Sequence, residues 1–265
     1  MTERVAETRT NNLLDELRDY IFSDKTLNDI QFATLKKEAS NLPTIEESAL
    51  IEVLAYCAAN KLDLAEDKAM SVARQFSHES FVSSNMIWTM LYLGKPTIAY
   101  EVVKRMPLEC ADEYDVENII STNFLFNDFG IDARLNEWLL RTNQHELLGR
   151  MQEGTEVRRM VMREIESRFD VSSNTVTELS ILAARVVEEH TGVVINNTLL
   201  AIPPESGRAT LTVYVECEPE KIFDLNWDLS GALVDAELDD IKCVTHFEIL
   251  GENVPTFAER LRNAG

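Results

Sequence analysis

The chain has 265 residues, 45% of them hydrophobic, so it is long enough for two ordinary domains with packed cores and is not a disordered polymer. Its 46 acidic and 25 basic side chains give a formal net charge of −21. That charge excludes general binding to nucleic-acid phosphates or anionic membranes unless a local basic patch is present. The same charge favours a basic protein partner, although an acidic surface also serves solubility alone.

No part of the sequence has the pattern of a membrane span or a secretion signal. The first residues, MTERVAETRTNN, are polar, and no apolar run approaches the ~18 residues that a spanning helix needs. The four cysteines lie far apart and form no Cys-x-x-Cys pair. We therefore expect a cytoplasmic protein with reduced thiols, and a disordered tail over residues 1–10.

Residues 11–150 are predicted to form an all-helical region. Thr44–Glu47 has the sequence of a capping box, which begins a helix. Three pairs of apolar helices follow within 45–142. The best internal match sets Gly94 against Gly130, and each glycine is predicted to end one helix before the next begins. A period of roughly 34–36 residues is typical of stacked helical hairpins.

The turn between two of these helices carries a family pattern. Gly94 and Ala99 have the five-residue offset of the small residues at the interhelix turn of tetratricopeptide-like repeats, and the segment 45–142 resembles that family. It departs from the family at Met86 and Ile87, where a Leu-Gly pair is usual. The resemblance implies stacked helical hairpins with an extended concave surface for a partner. An irregular helical bundle is the alternative.

Residues 151–265 are predicted to form a small α+β domain with the element order ααββαβα. Leu211, Val213 and Val215 alternate with polar residues, which indicates a sheet with one buried and one solvated face. We expect three strands in a mostly antiparallel sheet with helices on one face, and a short closing helix over Val254–Arg262. The fold class is therefore α+β overall, an all-α helical-hairpin array followed by this domain.

No catalytic or metal-binding motif is recognisable in the sequence. It lacks the HExxH, GxSxG, GxGxxG and Walker patterns. Cys243 and His246 are spaced like half of a metal site, but the alternation of a strand places them on opposite faces. We therefore predict no enzymatic activity, no metal and no cofactor.

An aromatic residue among acids is the first candidate for partner binding. Trp227 lies off the centre of the buried stripe that we predict for its helix, and large aromatic side chains dominate binding hot spots. Asp224 and Asp228 flank it at helical spacing. These three residues are expected to contact a basic partner.

A cluster of arginines between the two predicted domains is the second candidate. Direct nucleic-acid binding by this cluster is not expected, because interleaved glutamates offer ordinary ion pairs along the same helix. The apolar stripe of that helix is predicted to run through Val157, Val161, Ile165 and Phe169. We expect the cluster to dock one domain on the other, through Arg158, Arg159 and Arg163.

These features favour a non-enzymatic protein–protein interaction protein that binds a basic partner, as an adaptor, an assembly chaperone, or an antitoxin or immunity protein. Two alternatives stay open. One is a nucleic-acid mimic that inhibits a DNA- or RNA-binding enzyme, which requires a continuous negative band. The other is a ligand-binding regulator or enzyme that uses the α+β domain, which requires a deep pocket with converging polar groups.

Overall fold

The computed structural model describes residues 2–21, 23, 25–76, 78–108, 111 and 113–251. In these residues ten helices precede the first strand, and an eleventh lies between the second and third strands, so the predicted α+β fold class is confirmed. The helices are α1 (Thr2–Ile21), α2 (Asp29–Ala39), α3 (Ile45–Ala58), α4 (Leu62–Gln75), α5 (Ser80–Tyr92), α6 (Pro96–Arg105), α7 (Glu113–Phe126), α8 (Phe129–Arg141), α9 (His145–Phe169), α10 (Ser173–Glu189) and α11 (Lys221–Asp235). The strands are β1 (Val194–Ala201), β2 (Ala209–Glu216) and β3 (Cys243–Ile249).

The first helix begins earlier than the sequence analysis predicts. α1 starts at Thr2 and therefore includes most of the segment 1–10, which we predicted to be a disordered tail. Thr10 is already buried, and the core-facing side of the helix continues through Leu13 and Leu17. α1 packs against α3, so its apolar side gains a tertiary partner that stabilises the helix.

Three helical hairpins follow: α3–α4, α5–α6 and α7–α8. The first helices of the hairpins pack side by side, α3 on α5 and α5 on α7, and α4 contacts α6. Between the two helices of each hairpin one residue has a positive φ: 53° at Asn60, 69° at Gly94 and 53° at Asn127. Consecutive members of this set lie 34 and 33 residues apart, which is the period of stacked helical hairpins.

The predicted equivalence of Gly94 and Gly130 is wrong. Gly130 lies in the first turn of α8, where its N–H donates to the carboxylate of Asp128 at 2.8 Å. The equivalent of Gly94 is Asn127, which has the left-handed conformation and ends the preceding helix. Asparagine is the second choice after glycine at such a turn, so a search for glycine alone misplaces the repeat by three residues.

The predicted boundary at residue 150 falls inside α9, which runs without interruption from His145 to Phe169. α9 packs on both α8 and β1, while α10 contacts α6 and α7. Side chains from both predicted domains belong to one hydrophobic core cluster. The helical array and the sheet therefore pack on each other as one unit.

The sheet has the strand order β1-β2-β3 and is mixed. β1 pairs antiparallel with β2, but β2 pairs parallel with β3, so the expectation of a mostly antiparallel sheet holds for one of the two pairs. The parallel pair follows from α11, because a helical crossover returns the chain to the same end of the sheet. The predicted closing helix Val254–Arg262 lies outside the described residues.

The inner face of the hairpin array is filled by the chain itself. α5 is buried on all sides from Val82 to Leu91, because α3, α7 and β1 contact it. α1 also covers it: Arg18 donates to Asn85 Oδ1 at 3.2 Å and lies over the ring of Trp88. The concave surface that the repeat resemblance implies is therefore occupied along α5.

Candidate functional site

Two exposed aromatic side chains lie together on the outer side of α11. Phe223 and Trp227 are each 70% exposed, and their rings stack with centroids 6.3 Å apart. The opposite side of the helix carries Leu225 and Leu229, which are buried against the rest of the protein. One helical turn separates the two aromatic residues, so the packing of the two leucines turns both rings toward solvent.

Carboxylates border these rings. Asp224 and Asp228, one turn apart, are both exposed on the flank of the helix. A hydrogen bond of 2.9 Å joins Asp228 Oδ2 to His190 Nε2 and fixes that carboxylate beside Trp227. We call Phe223, Trp227, Asp224 and Asp228 the α11 stripe. Its combination of flat apolar rings and negative charge suits apolar side chains accompanied by Lys or Arg, which also interact favourably with aromatic faces.

Two hydrogen bonds made by the side chain of Asn226 hold α11 on the sheet. The side-chain oxygen of Asn226 accepts the N–H of Phe247 at 2.8 Å, and its amide donates to the carbonyl of Phe247 at 3.1 Å. The amide thus bonds β3 as a neighbouring strand would, on the edge of the sheet that faces away from β2. These two bonds hold α11, and with it the α11 stripe, on β3.

Sequence reasoning found Trp227, Asp224 and Asp228 and missed Phe223. The structure brings all four together. The signal for Phe223 was available, because it lies four residues before Trp227 and outside the spacing of Leu225 and the other buried residues of the helix.

Arg158, in the middle of α9, is the arginine whose guanidinium packs most closely on the hairpin array. Its Nη2 donates to Asp132 Oδ2 at 2.6 Å, and its guanidinium lies 4.4 Å from the ring centroid of Phe124. Burial lowers the pKa of Arg158, and the charge of Asp132 opposes that effect. Asp132 is itself buried and also accepts a 2.6 Å hydrogen bond from Asn123.

The rest of the arginine cluster is arranged differently. Arg159 is half-buried and Arg163 is exposed, and among the described contacts neither forms an ion pair with the array. Arg150 pairs with Glu117 at 2.7 Å and with Glu113. Of the three predicted docking residues the structure thus brings Arg158 to the array, and acids of the same chain neutralise much of the basic charge.

A further contact with the array, made by α10, was not predicted. Glu188 Oε1 accepts the backbone N–H of Thr97 at 2.7 Å and its hydroxyl at 2.5 Å, at the first turn of α6. Burial raises the pKa of Glu188, and the hydrogen bonds from Thr97 act in the opposite direction. The sequence signal was slight: an acid in the last turn of a helix opposes the helix dipole and needs a partner elsewhere.

The residues considered for metal binding point apart. Cys243 is buried, and burial raises the pKa of its thiol to about 11. His246 lies on the other face of β3, with Nε2 3.0 Å from Glu248 Oε1. Within the described part of the chain no group of three His, Cys, Asp or Glu side chains is placed to hold a metal ion.

A depression of about 490 Å³ lies where α1, α3 and the turn before β1 meet. Its described lining includes Lys25 and Cys57 but no carboxylate and no histidine. Burial raises the pKa of the Cys57 thiol to about 12, so this thiol is not an activated nucleophile.

In the described residues, no helix combines the length and the apolar character needed to cross a bilayer. Comparisons of the chain with protein-family models, with curated proteins and with solved structures find no match.

Proposed function

We propose that this chain is a non-enzymatic interaction protein of the cytoplasm that binds a basic protein partner through the α11 stripe. The observation that carries the proposal is the exposed, stacked pair of Phe223 and Trp227 beside two carboxylates. Free thiols at Cys57, Cys217 and Cys243 support a reducing compartment. Adaptor, assembly chaperone, and antitoxin or immunity protein are all roles of this kind.

The two rings are large enough to anchor a partner but not to bind it alone. Aromatic side chains bury about 150–250 Å² each, and 70% of each of these two is exposed, so covering both contributes roughly 5–9 kcal/mol at about 25 cal/mol per Å². Association costs an estimated 4–15 kcal/mol. Carboxylates that steer and align a basic partner, together with contacts around the rings, therefore set the affinity.

The chemistry of the stripe defines the partner. Rings one helical turn apart accept apolar side chains from one face of a helix or extended segment. Asp224 and Asp228 favour Lys or Arg on the flank of that segment. The expected ligand is a basic, amphipathic segment of another protein.

The nucleic-acid mimic is less well supported by the arrangement of the acids. Many of them form ion pairs with lysine or arginine side chains of the same chain. Glu52, for example, contacts both Lys36 at 2.8 Å and Lys68 at 2.6 Å. Such pairs interrupt a negative band, and a mimic needs that band to be continuous. The stacked rings also have no role in imitating a phosphate backbone.

The test is a calorimetric titration with a synthetic 16-residue peptide in which Leu recurs at helical spacing and Lys and Arg fill the other positions. We expect Trp227→Ala to weaken binding by at least ~10-fold, as for the truncation of a hot-spot residue. The charge variant Asp224→Asn with Asp228→Asn is expected to weaken binding and to reduce its dependence on salt.

The matched control is Phe81→Ala, which removes another exposed aromatic ring far from α11 in sequence. It separates docking on the stripe from general attraction to an acidic protein. Equal affinities of the Trp227→Ala variant, the Phe81→Ala variant and the unchanged protein overturn the proposal.

A further inference from the structure

The exposed apolar side of α11 continues beyond the α11 stripe. Val234 is 58% exposed and follows Phe223 by eleven residues, about three turns, so it lies on the same side of the helix. Ser230 and Gly231 lie between Trp227 and Val234 and are also exposed. The outer side of α11 thus presents an apolar surface about 16 Å long.

Gly231 is an unusual residue for the inside of a helix, where glycine is less favourable than alanine because it loses the most backbone freedom on folding. Elsewhere in the chain such a glycine serves close packing: a β-carbon on Gly154 in α9 would lie 2.8 Å from the ring of Phe124. Within the described part of the chain, a β-carbon on Gly231 would contact no side chain and no other element within 4 Å. No contact among the described residues therefore requires this glycine.

Four exposed residues around Gly231 form a hole of the kind that a facing helix fills. Residues spaced i, i+3, i+4 and i+7 on one helix surround a hole that accepts a single side chain of a partner helix in knobs-into-holes packing. On α11 these positions are held by Trp227, Ser230, Gly231 and Val234. The two small residues keep the middle of the hole open, while the indole and the valine form its apolar ends.

A helical partner suits this surface better than an extended one. The backbone groups in the middle of α11 are bonded within the helix, so they offer no hydrogen bonds to the main chain of a ligand. An extended segment that lies on α11 would lose water from its N–H and C=O groups without gaining partners for them there, whereas a helix bonds these groups internally.

The charges on α11 define the orientation of basic residues in such a partner. Asp224, Asp228 and Asp235 are exposed and are spaced by four and seven residues, which places all three on one flank of the apolar side. Lysine or arginine is therefore expected along one flank of the partner helix, next to the apolar residues that meet α11.

We infer that the partner segment of the α11 stripe is an α-helix that packs lengthwise on α11 and seats an apolar side chain in the hole at Gly231. The inference rests on the proposed function for the existence and the basic character of the partner. It adds the conformation of the partner and the residue that selects for it. In this arrangement the unfavourable effect of Gly231 on the isolated chain is offset by the contact that the glycine permits in the complex.

The experiment replaces Gly231 with leucine in the full chain. Leucine favours a helix over glycine and meets open space here, so we expect the midpoint of thermal unfolding to rise by about 2–4 °C. In the complex the leucine fills the hole, so we expect it to weaken binding of the basic 16-residue peptide by at least ~10-fold in the calorimetric titration. A surface that binds through apolar area alone gives the opposite result, because the leucine adds to that area. Gly231→Ala is expected to be intermediate in binding, since a methyl group fills less of the hole.

Gly149→Leu is the matched control. Gly149 is also an exposed glycine inside a helix, and among the described residues a β-carbon there would contact nothing within 4 Å. We expect this variant to raise the midpoint of unfolding in the same way and to leave binding unchanged. Far-ultraviolet circular dichroism follows the peptide: the spectrum of the complex minus that of the free protein is expected to be helical.

Binding to the Gly231→Leu variant that is as tight as binding to the unchanged protein, or tighter, overturns the inference, and so does a bound peptide that is extended. Either result leaves the proposed function standing if Trp227→Ala still weakens binding. A peptide that does not bind the unchanged protein, or that binds the Trp227→Ala variant equally well, contradicts the proposed function and the inference with it.

Discussion

Arg158 shows how a charged side chain becomes part of a core. Its guanidinium rests on the ring of Phe124 and donates to the buried carboxylate of Asp132. Two of its nitrogens, Nε and Nη1, are buried and have no hydrogen-bond partner. The ion pair therefore carries a desolvation cost, and its main effect is to make any arrangement that separates the two charges expensive.

We expect Arg158→Met to destabilise the protein by about 3–5 kcal/mol, because it leaves the carboxylate of Asp132 buried without a counter-charge. Urea unfolding measures the loss. Arg163→Met, at an exposed position of the same helix, is the control and is expected to stay within about 0.5 kcal/mol of the unchanged protein. Adding Asp132→Asn to Arg158→Met is expected to restore part of the stability. Similar losses for the two arginines contradict the docking role of Arg158.

The sequence identifies the arginine cluster but not which of its members is buried. We predicted an apolar stripe through Val157, Val161, Ile165 and Phe169. Ile165 and Phe169 are buried as predicted, but Val157 is 64% exposed. In the middle of α9 the side that faces the core runs through Thr155, Arg158 and Met162, and it continues through Ile165 and Phe169. Rules that rank side chains by hydropathy prefer valine to arginine, but the stem of an arginine packs well and its planar head stacks on rings.

At the scale of elements, side-chain contacts between distant helices are difficult to predict from a single sequence, and the contact between α10 and α6 is an example. The carboxylate of Glu188 on α10 caps the first turn of α6 by accepting the amide and the hydroxyl of Thr97. It performs the role of an N-cap side chain from a distant helix. This cap ties the helix that precedes the sheet to the middle of the hairpin array.

Glu188→Gln tests the cap through pH. Burial raises the folded-state pKa of Glu188, so its favourable contribution is complete below the ordinary pKa of a glutamate and is lost as pH rises through the raised value. The glutamine retains an oxygen for both bonds from Thr97 and has no charge to bury. We expect the stability of Glu188→Gln relative to the unchanged protein to increase between about pH 4 and pH 7.

Urea unfolding at several pH values measures this difference. Glu188→Ala is the companion variant, which leaves the two donors of Thr97 unpaired and is expected to lose about 1–3 kcal/mol. A stability difference for Glu188→Gln that does not vary with pH contradicts the assignment of a raised pKa.

Element types were predictable, while their junctions were less so. Helical periodicity and strand alternation gave the helical array, the three strands and the helix between the last two. The parallel pairing of β2 with β3 was also available, because a helical connection is what parallel strands require. The left-handed turn at Asn127 was harder to find, since asparagine in a helical sequence has many other uses.

At the scale of the whole molecule, the helical array and the sheet share a core. α9 crosses the predicted boundary at residue 150, and the carbonyl of Val193, just before β1, lies 2.7 Å from where a β-carbon on Gly94 would be. Composition and charge are similar on both sides of the boundary. The sequence therefore does not predict that the two predicted domains pack closely on each other.

We therefore expect the chain to unfold in a single cooperative transition and its halves to fail alone. Fragments 1–150 and 151–265 each expose core side chains that the intact protein buries, and each divides α9. Differential scanning calorimetry and near-ultraviolet circular dichroism are the measurements. A cooperative thermal transition in the isolated fragment 151–265 contradicts the shared core and restores the two-domain division.

The side-chain amide of Asn226 on the outer edge of β3 has a consequence for how partners are chosen. Strand addition reads mostly main-chain groups, which are the same in every protein, and so it selects weakly among sequences. With the amide bonded to Phe247, both outward main-chain groups of that residue are occupied and are not available to a visiting strand. A partner that approaches α11 from this side therefore meets side chains at this point of the edge, and side chains discriminate among sequences where main-chain groups do not.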